Sequence, residues 1–203
     1  PQKVMEQNGA DILRLWVVSS DYYNDLRIGP EIIKRTTDNY RRFRNTLRYL
    51  LGALDGFEML EKFDYAAMPD LEKWILHRLA SIDVGIREMT ESYDFHGIFS
   101  ELHQFCNSDL SAFYFEIRKD TLYCDDLKST ARLACLNVMN EVFNRLTAWL
   151  APILCFTAEE AWQSRHADIW NSVHLRSYDK IPSEWYNSDV EKKWMQIRRV
   201  RQV

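Results

Sequence analysis

A chain of 203 residues can bury a sizeable core, and with only six glycines and five prolines it argues for helices and against a turn-rich sandwich or barrel. Thirty acidic against 26 basic residues leave a net charge of −4, unlike a globally basic nucleic-acid binder, so an anionic partner must be met by a local patch. Cys106, Cys124, Cys135 and Cys155 stand far apart without a C-x-x-C pair, which disfavours a structural zinc site. With no signal peptide and no apolar run near eighteen residues, the sequence predicts free thiols, a cytoplasmic location and no membrane. The chain starts PQKVMEQ and ends in KKWMQIRRVRQV with no helix stop, and is expected to be part of something longer.

Along the chain, Asn8-Gly9 signals a turn or cap, and ADILRLWVVSS reads as a short buried helix. Residues 20–30 form a connector closed by Gly29-Pro30, with proline placed to open a helix. From Glu31, Ile33, Thr36, Tyr40, Phe43, Leu47, Leu50 and Leu54 follow three-four spacing until Asp55-Gly56 stops the helix. Three more amphipathic helices are predicted over about 70–92, 95–119 and 129–150. Pro152 ends the last, and Thr157-Ala-Glu-Glu160 offers a capping box for a short helix carrying Trp162. Residues 165–188 read as irregular and Val190 onward as helical. The expected class is all-α, an antiparallel helical bundle with a short irregular C-terminal segment.

The unusual stretch is NYRRFRNTLRYLLGAL, residues 39–54, with its run of arginines. On a helical wheel, Lys34, Asn45 and Arg48 fall within about 40° of Arg41, opposite the apolar face. Arg44 flanks this ridge, Arg35 and Arg42 lie off it, and Asp38 interrupts it. Glutamates at i±4 are almost absent, so the arginines are expected to be unpaired within the helix. Such a ridge is either a solvated face or a surface for phosphates and bases, which suit the planar guanidinium.

GADILRLWVVSSDYYNDLRIGPEI, RRFRNTLRYLLGAL, DLSAFYFEIRKDTLYCD and LTAWLAPILCFTAEEAW, in this order, closely resemble bacterial-type isoleucyl-tRNA synthetases over nearly the whole chain. SSDYYNDLRIG resembles the isoleucine enzymes more than the valine or leucine ones, whose corresponding domain is the nearest rival reading. A helical protein-interaction domain is a rival of another class. The resemblance implies that residues 1–29 form the junction after the catalytic core, residues 30–164 an anticodon-binding helical bundle, and residues 165–203 a truncated C-terminal extension. It implies isoleucine tRNA and the rest of a monomeric parent chain as partners. The parent would use ATP with magnesium, and any zinc would lie outside this segment. With the nucleotide-binding fold absent, this piece is expected to have no cofactor and no catalytic residue. Cys135 departs from the glutamine common in relatives.

The ridge residues Lys34, Arg41, Arg44, Asn45 and Arg48 are the expected tRNA contacts, Asn45 for a base edge and the arginines for phosphates. Arg118 and Lys119, beside Phe113 and Phe115, are candidates for an outlying contact, although Leu110, Phe113 and Ile117 have core spacing. Arg14 either touches the tRNA or pairs with Asp11 or Asp25, and Asp11 is expected to cap or to form an ion pair. The five histidines make no metal or catalytic pattern and read as polar core or surface residues. Trp149, Trp162, Trp170 and Trp185 are expected to pack the C-terminal segment onto the bundle, and Arg198, Arg199 and Arg201 form a second basic cluster.

Overall fold

The structure, a computed structural model, describes residues 1–58, 64–168 and 170–201. Residues 169, 202 and 203 of the expected C-terminal extension, and the side chain of Arg201, therefore lie outside the described part. The described residues contain helices and no strand, as the expected all-α class requires. In chain order they are α1 (Gln2–Asn8), α2 (Ala10–Ser19), α3 (Pro30–Ala53), α4 (Asp70–Glu91), α5 (Phe95–Gln104), a π-helical segment (Phe105–Tyr114), α6 (Phe115–Tyr123), α7 (Thr130–Leu150), α8 (Cys155–His166) and α9 (Ser188–Arg201).

Helix α3 begins as the sequence suggests, with Gly29 at the cap and Pro30 in the first turn, where its missing N–H costs nothing. It buries Ile33, Thr36, Phe43, Thr46, Leu47 and Leu50, and Gly56 follows with φ of 69°. Helix α7 is the axis of the bundle. It packs against α3, α4, α6 and α8, and is buried almost continuously from Ala134 to Leu150. A helix surrounded by neighbours is buried on most of its faces: Val138, Met139, Val142 and Leu146 are fully buried, and Asn137, Asn140, Arg145 and Thr147 are buried with them. Truncating such a leucine to alanine would cost about 2–5 kcal/mol.

The helix expected over 95–119 continues to Tyr123 and is interrupted by the π-helical segment. There the inward residues recur in pairs four positions apart, Phe105-Cys106, Asp109-Leu110 and Phe113-Tyr114, a wider period than the 3.6 of an α-helix. The wide turns carry Asp109 and Tyr114 into the core together with the aromatic rings. Asp94 caps α5 through the N–H of Gly97 at 2.9 Å, and a Cβ at Gly97 would stand 2.4 Å from that carboxylate.

The expected capping box at Thr157 does not form, because α8 already begins at Cys155. Its free N–H groups are met from α2 instead. Asp11, buried, accepts from the N–H of Thr157 at 2.8 Å and from its hydroxyl at 2.7 Å. Three positions along α2, Arg14 donates to the carbonyls of Pro152 and Ile153 at 2.7 and 3.0 Å. An anion at a helix start and a cation at the preceding helix end match the dipoles of both, so α2 grips the α7–α8 corner from two sides.

Trp149, Trp162 and Trp185 are buried as expected, but Trp170 is 82% exposed and packs nothing. Between α8 and α9 the chain is anchored by Val173 and Trp185, each at a 3₁₀ turn. Helix α9 then lies along α4.

Candidate nucleic-acid interface

Four side chains of the predicted ridge, Lys34, Arg41, Asn45 and Arg48, are exposed along one side of α3. Three of them, Lys34, Asn45 and Arg48, form no hydrogen bond or ion pair among the described residues. The expectation that the arginines have no partner within the helix fails at Arg41, which pairs with Asp38 at 3.1 Å. Both groups are more than half exposed, so the pair contributes little to stability and yields readily to a stronger anion. Arg42, off the ridge, donates to Asn107 at 2.6 Å. At its N-terminal end the ridge borders a groove of about 780 Å³ between α1 and α3, where Lys34 and Arg41 face Val4, Asn8 and Ile33.

Arg44 has a different environment. Its two terminal nitrogens donate to the two oxygens of Glu160 on α8 at 2.8 and 2.9 Å, a fork-to-fork pair. That hydrogen bonding holds the Glu160 carboxyl below its ordinary range and pushes the guanidinium further up. Arg44 also donates to the Tyr40 hydroxyl at 3.4 Å, and Tyr40 meets Thr157 at 3.0 Å. Because Thr157 is bonded to Asp11, one hydrogen-bonded path runs Asp11, Thr157, Tyr40, Arg44, Glu160. Its inner end is buried and its outer end is exposed, so the arginine is placed by the fold rather than by solvent.

The remaining expected contacts, Arg118, Lys119 and Arg14, have partners within the fold. Arg118 does not face outward. It donates to both oxygens of Glu72 at 2.6 and 2.5 Å, and Glu72 is fully buried. Tyr114 donates to the same carboxylate at 3.2 Å and lies 3.5 Å from the Cys135 thiol, which burial pushes up to about 12. Phe113 and Phe115 are 4% exposed, the latter stacked on Tyr49 at 4.3 Å, so these rings belong to the core, whereas Ile117, expected beside them, is 38% exposed. Lys119 is half exposed and pairs with Glu116 at 2.6 Å. Arg14, with its donors on two carbonyls, forms neither of the ion pairs expected with Asp11 or Asp25.

The second basic cluster divides. Arg198 donates to Asp109 at 2.6 Å and lies over Trp74 and Phe113, while Arg78 donates to the other oxygen of Asp109 at 2.9 Å. Asp109 is 1% exposed, so Arg198 ties α9 to the bundle. Arg199 stays on the surface. Sequence reasoning missed this triad and the Arg44–Glu160 pair. The available signal was an acid on an inward helix face: Glu72, Asp83 and Asp109 all lie there, and each meets an arginine. A buried carboxylate demands such a partner.

The histidines are structural. His77, buried, accepts from the N–H of Asn187 at 3.0 Å and lies 3.3 Å from Glu191. Burial lowers the pKa of His103 and of His166, and the Nε2 of each is buried without a partner. Among the described residues no group of His, Cys, Asp and Glu side chains is gathered to hold a metal ion, and no helix is long and apolar enough to cross a membrane.

The described residues thus form a helical bundle with a row of solvent-facing polar and cationic side chains along α3. The family described as the anticodon-binding domain of tRNA ligase matches residues 72–203, and the chain belongs to that family. Over all 203 residues it is 50% identical to the isoleucine–tRNA ligase of Agrobacterium fabrum and 48% identical to that of Gluconobacter oxydans. It spans 21% of the length of each of these relatives. The α3 ridge precedes the family match but lies inside these longer alignments. The LeuRS of Agrobacterium radiobacter K84, solved as a ternary complex with tRNA and LeuAMS, shares the fold with a TM-score of 0.69 at 14% identity, over 92% of this chain and 21% of that one.

Proposed function

We propose that this chain is the part of an isoleucine–tRNA ligase that docks the anticodon arm of isoleucine tRNA. The observation that carries the reading is the exposed row Lys34, Arg41, Asn45 and Arg48 on α3, within a bundle of the anticodon-binding family. Residues 1–29 are the junction from the catalytic body, 30–164 the anticodon-binding bundle, and 165–203 the start of a C-terminal extension. In the parent, a cytoplasmic monomer, isoleucine is joined to its tRNA at the expense of ATP with magnesium. That chemistry belongs to the remainder of the chain.

This piece works by positioning. Lys34, Arg41 and Arg48 contact phosphates, which fix register without reading sequence. Asn45 both donates and accepts, so it can read the edge of an unstacked base. Arg41 leaves Asp38 for a phosphate at small cost, since a pair this exposed is worth about 0–1 kcal/mol. The test is fluorescence anisotropy of labelled isoleucine tRNA against an anticodon-swapped transcript, with wild-type protein and Asn45→Ala. The reading expects the swap to weaken wild-type binding about tenfold or more, and expects Asn45→Ala to shrink that difference. Equal binding of both transcripts by the wild type would remove anticodon recognition from this chain.

A further inference from the structure

Beside the ridge, between α3 and α8, lies a groove of about 160 Å³ whose lining includes Arg44, Leu47, Arg48, Leu51, Glu160 and Ala161. Its volume is well under the roughly 300–1,000 Å³ of pockets that take drug-sized ligands, so it has room for one planar ring and little more. The floor is apolar: Leu47 and Ala161 are buried and Leu51 is partly buried. One wall is the Arg48 guanidinium, which is exposed and has no partner among the described residues. The Glu160 carboxylate, with the Arg44 guanidinium that holds it, also lines the groove.

Two properties of Glu160 make it more than a surface acid. First, it is held. Arg44 grips both its oxygens, and Arg44 is itself held through Tyr40 and Thr157 from the buried Asp11. Second, it is not used up. An ionised carboxylate offers about four lone-pair sites, and the Arg44 fork takes two. The sites that remain accept hydrogen bonds but cannot donate, and the groove in front of them is apolar-floored and flanked by a flat cation.

We infer that the α3–α8 groove seats one unstacked nucleobase of a single-stranded RNA loop, with Glu160 accepting from its exocyclic amino group. The base rests on Leu47 and Leu51, and the Arg48 guanidinium covers its face, as planar cations do for splayed bases. Arg44, which also lines the groove, is the positioning residue for Glu160. The carboxylate serves selection rather than affinity, because it repels phosphate and admits only a donor edge. This inference rests on the tRNA-docking reading and adds to it the residue that discriminates between bases and the feature it reads.

The experiment is a mutant cycle between protein and RNA, run in the full-length ligase that contains this chain. Anticodon stem-loop hairpins are made with each amino-bearing loop base replaced, one at a time, by its des-amino analogue: purine riboside for adenosine, inosine for guanosine, zebularine for cytidine. Affinities are measured by anisotropy for wild type, Glu160→Ala and a Lys34→Ala/Arg41→Ala/Arg48→Ala variant. At one loop position the amino group's removal is expected to weaken wild-type binding about tenfold and Glu160→Ala binding less than twofold. Glu160 is 59% exposed, so this variant folds. If every analogue costs both proteins the same while the triple variant still binds weakly, the base pocket is wrong and the docking reading stands. If the triple variant binds like wild type, or the wild type binds no hairpin, both fall.

Discussion

RRFRNTLR on α3 and IRRVR on α9 are alike as strings, and the fold uses them in opposite ways. On α3 the row Lys34, Arg41, Asn45 and Arg48 meets at most one exposed acid among the described residues, and its charge faces solvent. On α9 Arg198 lies over two aromatic rings and completes the neutralisation of a buried aspartate. What differs is whether a neighbouring element presents a carboxylate at the right height. The π-helical segment does so for α9 with Asp109. Beside the ridge, α8 presents Glu160, which takes Arg44 at the flank.

Removing the acid from the α9 seam should produce the largest effect. Asp109→Ala removes the acid that Arg78 and Arg198 share and leaves Arg78 with Glu101 and Arg198 without its carboxylate, and breaking a buried pair from one side costs about 3–5 kcal/mol. For a chain of this size that lowers Tm by roughly 10 °C in a calorimetric scan. A fall of under about 2 °C would show that the triad is dispensable. Arg198→Ala comes next, since Arg78 still holds the aspartate. The lost charged hydrogen bond and ring contacts sum to about 2 kcal/mol, and limited proteolysis should then cut first near α9. If Arg198→Ala changed RNA affinity and left Tm alone, the two basic regions would be of one kind.

Acid tests the bundle beneath the ridge. Burial lowers the pKa of His103, which packs on Phe43 of α3, and of His166, which packs on Trp162 of α8. Protons then bind the unfolded chain before the folded one. Stability is therefore full above the ordinary histidine value of 6.5 and falls as pH drops below it. Tm should decline between pH 7 and 5.5, and His103→Gln/His166→Gln should flatten that decline. An unchanged slope would refute the assignment.

Local pattern made much of this molecule legible. The apolar spacing of α3, the proline at its start and the aspartate-glycine stop placed that helix within about two residues, because each signal acts over a single turn. The exposure of Lys34, Arg41, Asn45 and Arg48 followed from the same periodicity. Partners distant in sequence were not legible. Arg118 finds Glu72 46 residues earlier, and Thr157 is capped by Asp11 146 residues earlier, so neither leaves a mark in a short window. Trp170 shows the converse, a large apolar side chain left 82% exposed. Glu160 was read as a capping residue because a TAEE string has that form, while α8 starting two residues earlier freed it to meet Arg44.

The central claim is that the α3 ridge is a phosphate-facing surface with no structural duty. The most direct test is the salt dependence of isoleucine tRNA binding by wild type and by Lys34→Ala/Arg41→Ala/Arg48→Ala, with Tm measured on the same samples. Each phosphate contact contributes roughly 0.7–0.9 to the slope of log K against log salt. The variant should lose about 2 from that slope and keep its Tm within about 2 °C, since all three side chains are exposed. An unchanged slope would contradict the account, because the cations that bind tRNA would then lie elsewhere.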